Sequence, residues 1–418
     1  MNISKFGKII FITLIVSTSI KAQDTLKINI YQADSIFLKN SFYLLAASMN
    51  IEAQKAQMIQ AKLYPNPIFT ADFNTYDTEN NRAFHVGETG QKTFQFEQLI
   101  LLGGKRKSEI EMAKTNVAIA ELEFQQLTRN LKYQLHSSLY SVGQQEFLLH
   151  KYNQQLTLLD SLLSAYQTQV DKGNIPLKEL VRLKGAYLKL NNDRAELFKE
   201  YFATQSTLQK VLQVFAVVKF EFSEDDIVQY VKLISLDELK VIASANRPDL
   251  LIVQQNSLLS QQYLQYQKRV AVPDINLFTS YDQRGGAFQN QVNAGISIPL
   301  PLWNRNQGNI KTAQYKLQES QYQTQSLQNG INTEIQNAYA YYSQTISEYK
   351  KATNLYNQDF EITINGMTEN FQKRNVSIIE FIDFFEAYNE VLTELTRIKT
   401  QLVSSAEELN LLTGKDIY

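Results

Sequence analysis

The chain has 418 residues, no cysteine and a formal net charge of −1. Balanced charge with no long run of one sign argues against an electrostatic nucleic-acid binder. The missing cysteines exclude disulfides, thiolate metal sites and a cysteine lipid anchor.

The first 22 residues read as a secretory signal peptide: Lys5 and Lys8, an apolar run from Ile9 to Val16, then small residues, with cleavage expected near Ala22–Gln23. A helix is predicted over residues 33–62, and its counterpart runs from about Leu239 to Arg269. Asn40 and Leu44 recur as Asn246 and Leu250, both 206 positions on. The first helix ends at Tyr64-Pro65-Asn66-Pro67 and the second at Val272-Pro273-Asp274, where proline should hand each over to extended chain.

Two strand pairs are predicted next. Phe69, Ala71 and Phe73 alternate with Thr70, Asp72 and Asn74, and Phe94 and Phe96 with Thr93, Gln95 and Glu97. In the second pair, Ile275, Leu277, Thr279 and Tyr281 face away from Asn276, Ser280 and Asp282, and Val292, Ala294, Ile296 and Ile298 from Asn293, Gly295 and Ser297. Period-two alternation gives each sheet one apolar and one polar face, with Phe278 misplaced on the polar side.

A very long helix follows each pair. Ile110, Ala113, Val117, Ala120, Phe124, Leu127 and Leu131 form a heptad seam. No proline interrupts Lys105–Lys172, which predicts a rod of about 100 Å. Ile310, Ala313 and Leu317 open the second copy, and Leu327, Ile331, Ile335, Ala338 and Tyr342 continue it. Return helices are predicted over 177–213 and 377–413, the latter stopped by Gly414. Between rod and return lies a short turn: residues 172–187 read KGNIPLKELVRLKGAY and 373–388 read KRNVSIIEFIDFFEAY. Lys172, Asn174, Ala186 and Tyr187 recur 201 positions later, so the two segments read as tips of equivalent helical hairpins.

The domain map is therefore a signal peptide (1–22), a first structural repeat (23–213), an irregular connecting belt (214–238) and a second repeat (239–418). Four half-apolar strands without a covering layer point to a membrane barrel. Four cannot close alone, since such barrels start at about eight strands. Three chains would supply twelve and leave an opening, so the expected assembly is a homotrimer with outer-membrane lipid around it. Tyr64, Tyr76, Tyr281 and Trp303 lie near strand ends, where aromatic girdles sit.

This order of elements resembles the TolC-like outer-membrane efflux protein family over nearly the whole mature chain. The resemblance is carried by Leu63-Tyr64-Pro65-Asn66-Pro67, by Asn246-Arg247-Pro248-Asp249-Leu250, by the run from Ile298 to Asn309 (IPLPLWNRNQGN) and by the two tips. The Pro-Leu-Pro-Leu stretch before a polar turn is similar to the metal-efflux (CzcC-like) branch. The resemblance implies a passive trimeric conduit: a twelve-stranded barrel across the outer membrane of a Gram-negative bacterium and a helical tunnel in the periplasm. Its tips would dock on a periplasmic adaptor joined to an inner-membrane pump, with metal cations or small toxic molecules as cargo. A type I protein-secretion conduit and a non-pore periplasmic scaffold are the alternatives. The resemblance further implies a pore constriction at Glu380 and Asp383, three residues apart on one helix face. It places the tip gate and adaptor contact at Lys172, Gly173, Asn174, Glu179, Arg182, Arg374 and Asn375. In the first tip Arg182 stands where Asp383 stands in the second, so an Arg182–Asp383 contact is a candidate latch.

No enzyme, cofactor or metal signature accompanies this pattern. His136 and His150 are too far apart on one helix to share an ion, and His85 is expected to be a solvated loop residue.

Overall fold

The computed structural model describes residues 24–418 except 286 and 357, so the signal peptide expected over 1–22 lies outside the described residues. Strand β1 (Thr25–Ile28) leads into α1 (Ile30–Asn40) and α2 (Phe42–Ala61). After β2 (Ile68–Phe73), the small hairpin β3 (Tyr76–Asp77) and β4 (Arg82–Ala83), and β5 (Gln91–Ile100), the chain enters α3 (Lys105–Asp171) and returns in α4 (Leu177–Leu212). Strand β6 (Val217–Phe220) and α5 (Glu224–Val228) connect to α6 (Leu236–Asn246) and α7 (Pro248–Val270). Then come β7 (Ile275–Arg284), β8 (Phe288–Ser297), α8 (Gln307–Leu355), α9 (Gln358–Gln372) and α10 (Ile378–Thr413). Among the described residues, no helix is long and apolar enough to cross a membrane.

Three predicted helices are each found in two pieces. The helix expected over 33–62 breaks at Ser41, which leaves helical geometry (φ −63°, ψ 108°) and accepts from Leu44 N as a new N-cap. Its counterpart breaks 206 positions later at Arg247 (φ −71°, ψ 114°), because Pro248 has no N–H to continue a helix but fits its first turn. The second long rod stops at Tyr356 (φ −88°, ψ 97°) and resumes as α9. By contrast α3 runs unbroken for 67 residues, about 100 Å.

The four long strands form one antiparallel sheet in the order β2-β5-β7-β8. Its register puts Phe69, Phe96 and Thr279 in one row and Ala71, Phe94 and Tyr281 in the next, all on one face. Thr70, Gln95, Ser280 and Asn293 make a row of the other face. Phe278 fits that polar face because its partner is Gly295, over which the ring lies: a Cβ there would sit 2.5 Å from the Phe278 ring. Neither face is covered by another layer among the described residues, and every residue of β2 is exposed.

The connecting belt is more regular than expected. Strand β6 pairs in parallel with β1, Thr25 opposite Val217 and Ile28 opposite Phe220. The belt grips α3 through aromatics: Tyr140 meets Phe220 at 4.9 Å, Tyr230 at 5.5 Å and Phe222 at 5.9 Å between ring centroids. Gly143 permits this approach, since a Cβ there would fall 2.3 Å from the Phe222 ring.

Beside that cluster, His136 is clamped between two carboxylates, its Nδ1 2.8 Å from Glu407 and its Nε2 2.8 Å from Asp34. Tyr230 donates to the same Glu407 oxygen at 2.9 Å. Burial alone would lower the imidazole pKa, but hydrogen bonds to Asp34 and Glu407 outweigh it and raise it to about 9. One protonated side chain thereby joins α1, α3 and α10.

The heptad seam predicted on α3 is only half-buried from Ile110 to Leu131, apart from Ala120. Full burial begins at Leu135 and Leu139, where the belt, α4 and α10 close around the helix.

Candidate functional site

Both tips end their first helix with the same hydrogen-bond pattern. In the first, Gly173 N donates to Val170 O at 2.9 Å and Asn174 N to Gln169 O at 2.9 Å. In the second, Arg374 N donates to Phe371 O at 3.0 Å and Asn375 N to Asn370 O at 2.9 Å. These are Schellman stops, whose turning residue must be left-handed. Gly173 (φ 75°) meets that need without strain, whereas Arg374 (φ 63°) adopts a conformation unfavourable for a side chain. The asparagines add a side-chain bond, Asn174 Nδ2 to Gln169 Oε1 at 2.8 Å and Asn375 Nδ2 to Asn370 Oδ1 at 3.3 Å. The recurring Asn thus has a local structural job, and Lys172 serves as the helix C-cap in the first copy.

The restart of each helix differs. Ser377 caps α10, accepting from Glu380 N at 3.3 Å, while Glu380 Oε2 accepts from Ser377 N at 3.0 Å and Ser377 Oγ at 2.8 Å. This capping box satisfies two otherwise orphaned donors and holds the Glu380 carboxyl below its ordinary pKa, the Ser377 backbone N–H first and its hydroxyl second. The serine followed three residues later by glutamate is a sequence signal for such a box, and it is absent from the first copy, where Pro176 stands in place of Ser377. In the first copy Pro176 holds the cap position and offers no side-chain bond, so Glu179 is not drawn into a box. Glu380 is therefore committed to the helix start as well as exposed, whereas Asp383 is exposed with no ion pair among the described residues.

The two tips meet across a groove of about 480 Å³ whose lining includes Tyr166, Asn174, Glu179, Arg182, Arg374 and Ser377. Beneath it an aromatic ladder joins the hairpins: Tyr166 stacks on Phe371 (5.5 Å), Phe371 on Phe381 (4.3 Å), and Phe381 lies against Phe385 (5.8 Å). The groove brings Asn174, Glu179, Arg182 and Arg374 together; Lys172, Gly173, Asn375, Glu380 and Asp383 do not line it. The expected Arg182–Asp383 latch is not formed: among the described residues no ion pair joins them. Arg182 faces the groove between tips, and Asp383 does not.

Further along the hairpins, Glu361 was missed by sequence reasoning. Its Oε1 accepts from Lys151 Nζ at 2.8 Å, Tyr356 OH at 3.0 Å and Tyr388 OH at 2.8 Å. It ties the break between α8 and α9 to α3 and α10. Burial would raise its pKa, but these bonds, Lys151 first, bring it below the usual value.

His85 also departs from expectation. It is buried, with Nδ1 2.6 Å from Asp77 and Nε2 3.0 Å from Thr89, because the loop between β2 and β5 folds back on itself through the β3–β4 hairpin. Among the described residues no group of three His, Cys, Asp or Glu is placed to hold a metal ion.

No protein-family model matches the chain. It is 22% identical over 292 residues to the cobalt-zinc-cadmium resistance protein CzcC of Cupriavidus metallidurans, a match covering 67% of this chain and 64% of that relative, just under two thirds of its length. Among solved structures, CusC, described in connection with transmembrane channel formation, superposes with a TM-score of 0.75 at 16% identity, covering 93% of this chain and 92% of that one. The CmeC outer membrane channel of Campylobacter jejuni gives a TM-score of 0.73 at 14% identity, over 93% and 87%. The open-state MtrE outer membrane channel of Neisseria gonorrhoeae gives 0.72 at 13%, over 93% and 89%. The fold is that of these channels, and the resemblance to TolC-like proteins read from the sequence stands at that level.

Proposed function

We propose that the chain is one protomer of a trimeric outer-membrane channel, the passive exit duct of a tripartite efflux system. One observation carries the reading: a four-stranded sheet with an uncovered apolar face and two free edges, β2 and β8, sits at one end of hairpins about 100 Å long. An open, half-apolar sheet is an aggregation hazard in water. Three copies joined edge to edge give a closed twelve-stranded barrel with Phe69, Phe96, Leu277 and Ile296 toward lipid and Thr70, Gln95, Ser280 and Asn293 toward the lumen.

The half-buried seam on α3 between Ile110 and Leu131 fits the same assembly, because neighbouring copies would complete its burial. In this reading the two structural repeats build the tunnel. The groove between tips receives a periplasmic adaptor linked to an inner-membrane pump, and Asp383 with Glu380 lines the narrowest point. Metal cations are the favoured cargo. CzcC is named for cobalt, zinc and cadmium resistance. The groove between α4 and α10 also carries Asp193, Glu196, Glu200, Glu386, Glu390 and Glu394, of which Glu386 pairs with Lys189 and Glu394 with Arg397.

The test is fractionation followed by bilayer recording. The reading expects an outer-membrane protein, trimeric in detergent, that opens cation-selective conductances. A soluble periplasmic monomer without conductance would overturn it.

A further inference from the structure

We propose that the junction where strands meet helices is a binding surface for anionic phospholipid headgroups. The inference rests on the membrane-barrel reading above and adds the lipid class the barrel selects. At this level α2 and α7 end, α3 and α8 begin, and these four helices pack side by side in the order α2, α3, α7, α8. The chain exposes large apolar side chains there: Leu63, Tyr64, Leu300, Leu302 and Trp303 are between 56% and 86% accessible.

Cations are interleaved with them. Lys62 ends α2, Arg106 and Lys107 open α3, Lys268 lies in the last turn of α7, and Arg305 and Lys311 flank the start of α8. None of the six is in an ion pair among the described residues. Of the carboxylates at this level, Asp274 is already taken by Lys105 at 2.8 Å, which leaves Glu97 near the end of β5 and Glu109 and Glu111 on α3. Arg106 is held in place: its guanidinium lies 3.8 Å over the Tyr64 ring and donates to Lys62 O at 2.8 Å from Nη2. A fixed cation thus sits at the level of an exposed aromatic ring. The loop between β2 and β5, at the opposite end of the sheet, has the reverse balance, with Asp77, Glu79 and Glu88 against Arg82, while Lys92 and Arg284 lie on the strands beside it.

Aromatic rings mark the level of the membrane interface. Each Lys or Arg near an anionic bilayer surface contributes about 1 kcal/mol of attraction. A zwitterionic headgroup offers no net charge for that term. The belt therefore discriminates by charge, and three copies would encircle the barrel with it.

Trp303 is the chain's only tryptophan, so its emission reports on this belt alone. The full-length protein is reconstituted in mixed phosphatidylcholine and phosphatidylglycerol vesicles with one lipid brominated on its acyl chains. Brominated phosphatidylglycerol is expected to quench Trp303 about five-fold more per mole than brominated phosphatidylcholine, the ratio that a single such cation supplies. High salt should bring the ratio toward one without any substitution. So should the combined variant Lys62→Gln, Lys107→Gln, Lys268→Gln, Arg305→Gln and Lys311→Gln. Equal quenching by the two lipids in the unaltered protein, or no quenching while the inserted channel conducts, would overturn the proposal and leave the channel standing. Failure to insert at all would sink both.

Discussion

Glu380 closes back onto Ser377, accepting its backbone N–H at 3.0 Å and its hydroxyl at 2.8 Å, so one carboxylate both starts α10 and faces solvent at the tip. Gln can serve a capping box as Glu does, which separates these roles. Glu380→Gln should keep the box and lose only the part of its stabilisation that needs the charge, while lowering cation selectivity. Glu380→Ala and Ser377→Ala should each also destabilise the second tip by about 1 kcal/mol. Asp383→Asn should lower selectivity with no stability cost. Reversal potentials in a salt gradient, beside thermal melts of the same variants, check all four. Unchanged selectivity in the Glu380→Gln, Asp383→Asn double variant would remove the constriction from this site.

Arg374 turns the second tip with a positive φ that its counterpart Gly173 adopts freely. Arg374→Gly should relieve about 1 kcal/mol of strain and slow amide exchange over residues 370–380. Because Arg374 also lines the groove between tips, the same change should weaken adaptor capture. Faster exchange in the variant would mean that the guanidinium, not the turn, determines local stability.

Removing the Glu361 carboxylate leaves Lys151, Tyr356 and Tyr388 without their shared acceptor. Glu361→Ala should cost about 1–3 kcal/mol locally and raise exchange across α9 and the break at Tyr356, with little change in α3 near the sheet. Glu361→Gln should restore part of the loss. Uniform exchange changes over the whole chain would contradict a local clamp.

His136 titrates at about 9 in the folded chain against about 6.5 when unfolded. A group whose pKa is raised by folding stabilises fully below the unfolded value. That contribution, up to about 3 kcal/mol, is lost as pH rises through 9. Melting temperature should therefore fall between pH 7 and pH 10 by more in the unaltered protein than in His136→Gln. The variant should already be less stable at pH 7. Parallel pH profiles would show that the imidazole is not the cation joining Asp34 and Glu407.

Much of this architecture was legible because strands and rods carry long periodic signals. The apolar faces of β2, β5, β7 and β8 follow from alternation along the middle of each strand, and the start of α3, the start of α4 and the end of α10 fall where glycine, proline and the tip turns put them. Phe278, on the polar face, needed its partner Gly295, which lies on the next strand. Breaks at Ser41 and Arg247 had local signals, a serine cap and a proline, that continuous hydrophobic periodicity overrode. Pairings over long separations left no pattern. Strand β1 finds β6 through four residues, and His136 finds Asp34 and Glu407 at separations of 102 and 271. His85 is buried only once its loop folds. At the site, the tips were found by recurrence, but recurrence could not tell that Asn174 and Asn375 stop helices or that Glu380 starts one.

Closure of a twelve-stranded barrel requires that β2 of one copy meets β8 of the next. Because the chain has no cysteine, introduced pairs report without background. Thr70→Cys on β2 can be combined in turn with cysteine at Gln291, Asn293 and Ser297, which share the polar face of β8. In outer-membrane fractions one of these registers should oxidise to a covalent trimer that reduction returns to monomer. Monomer alone at every register, in protein that reaches the outer membrane, would rule out this edge-to-edge closure.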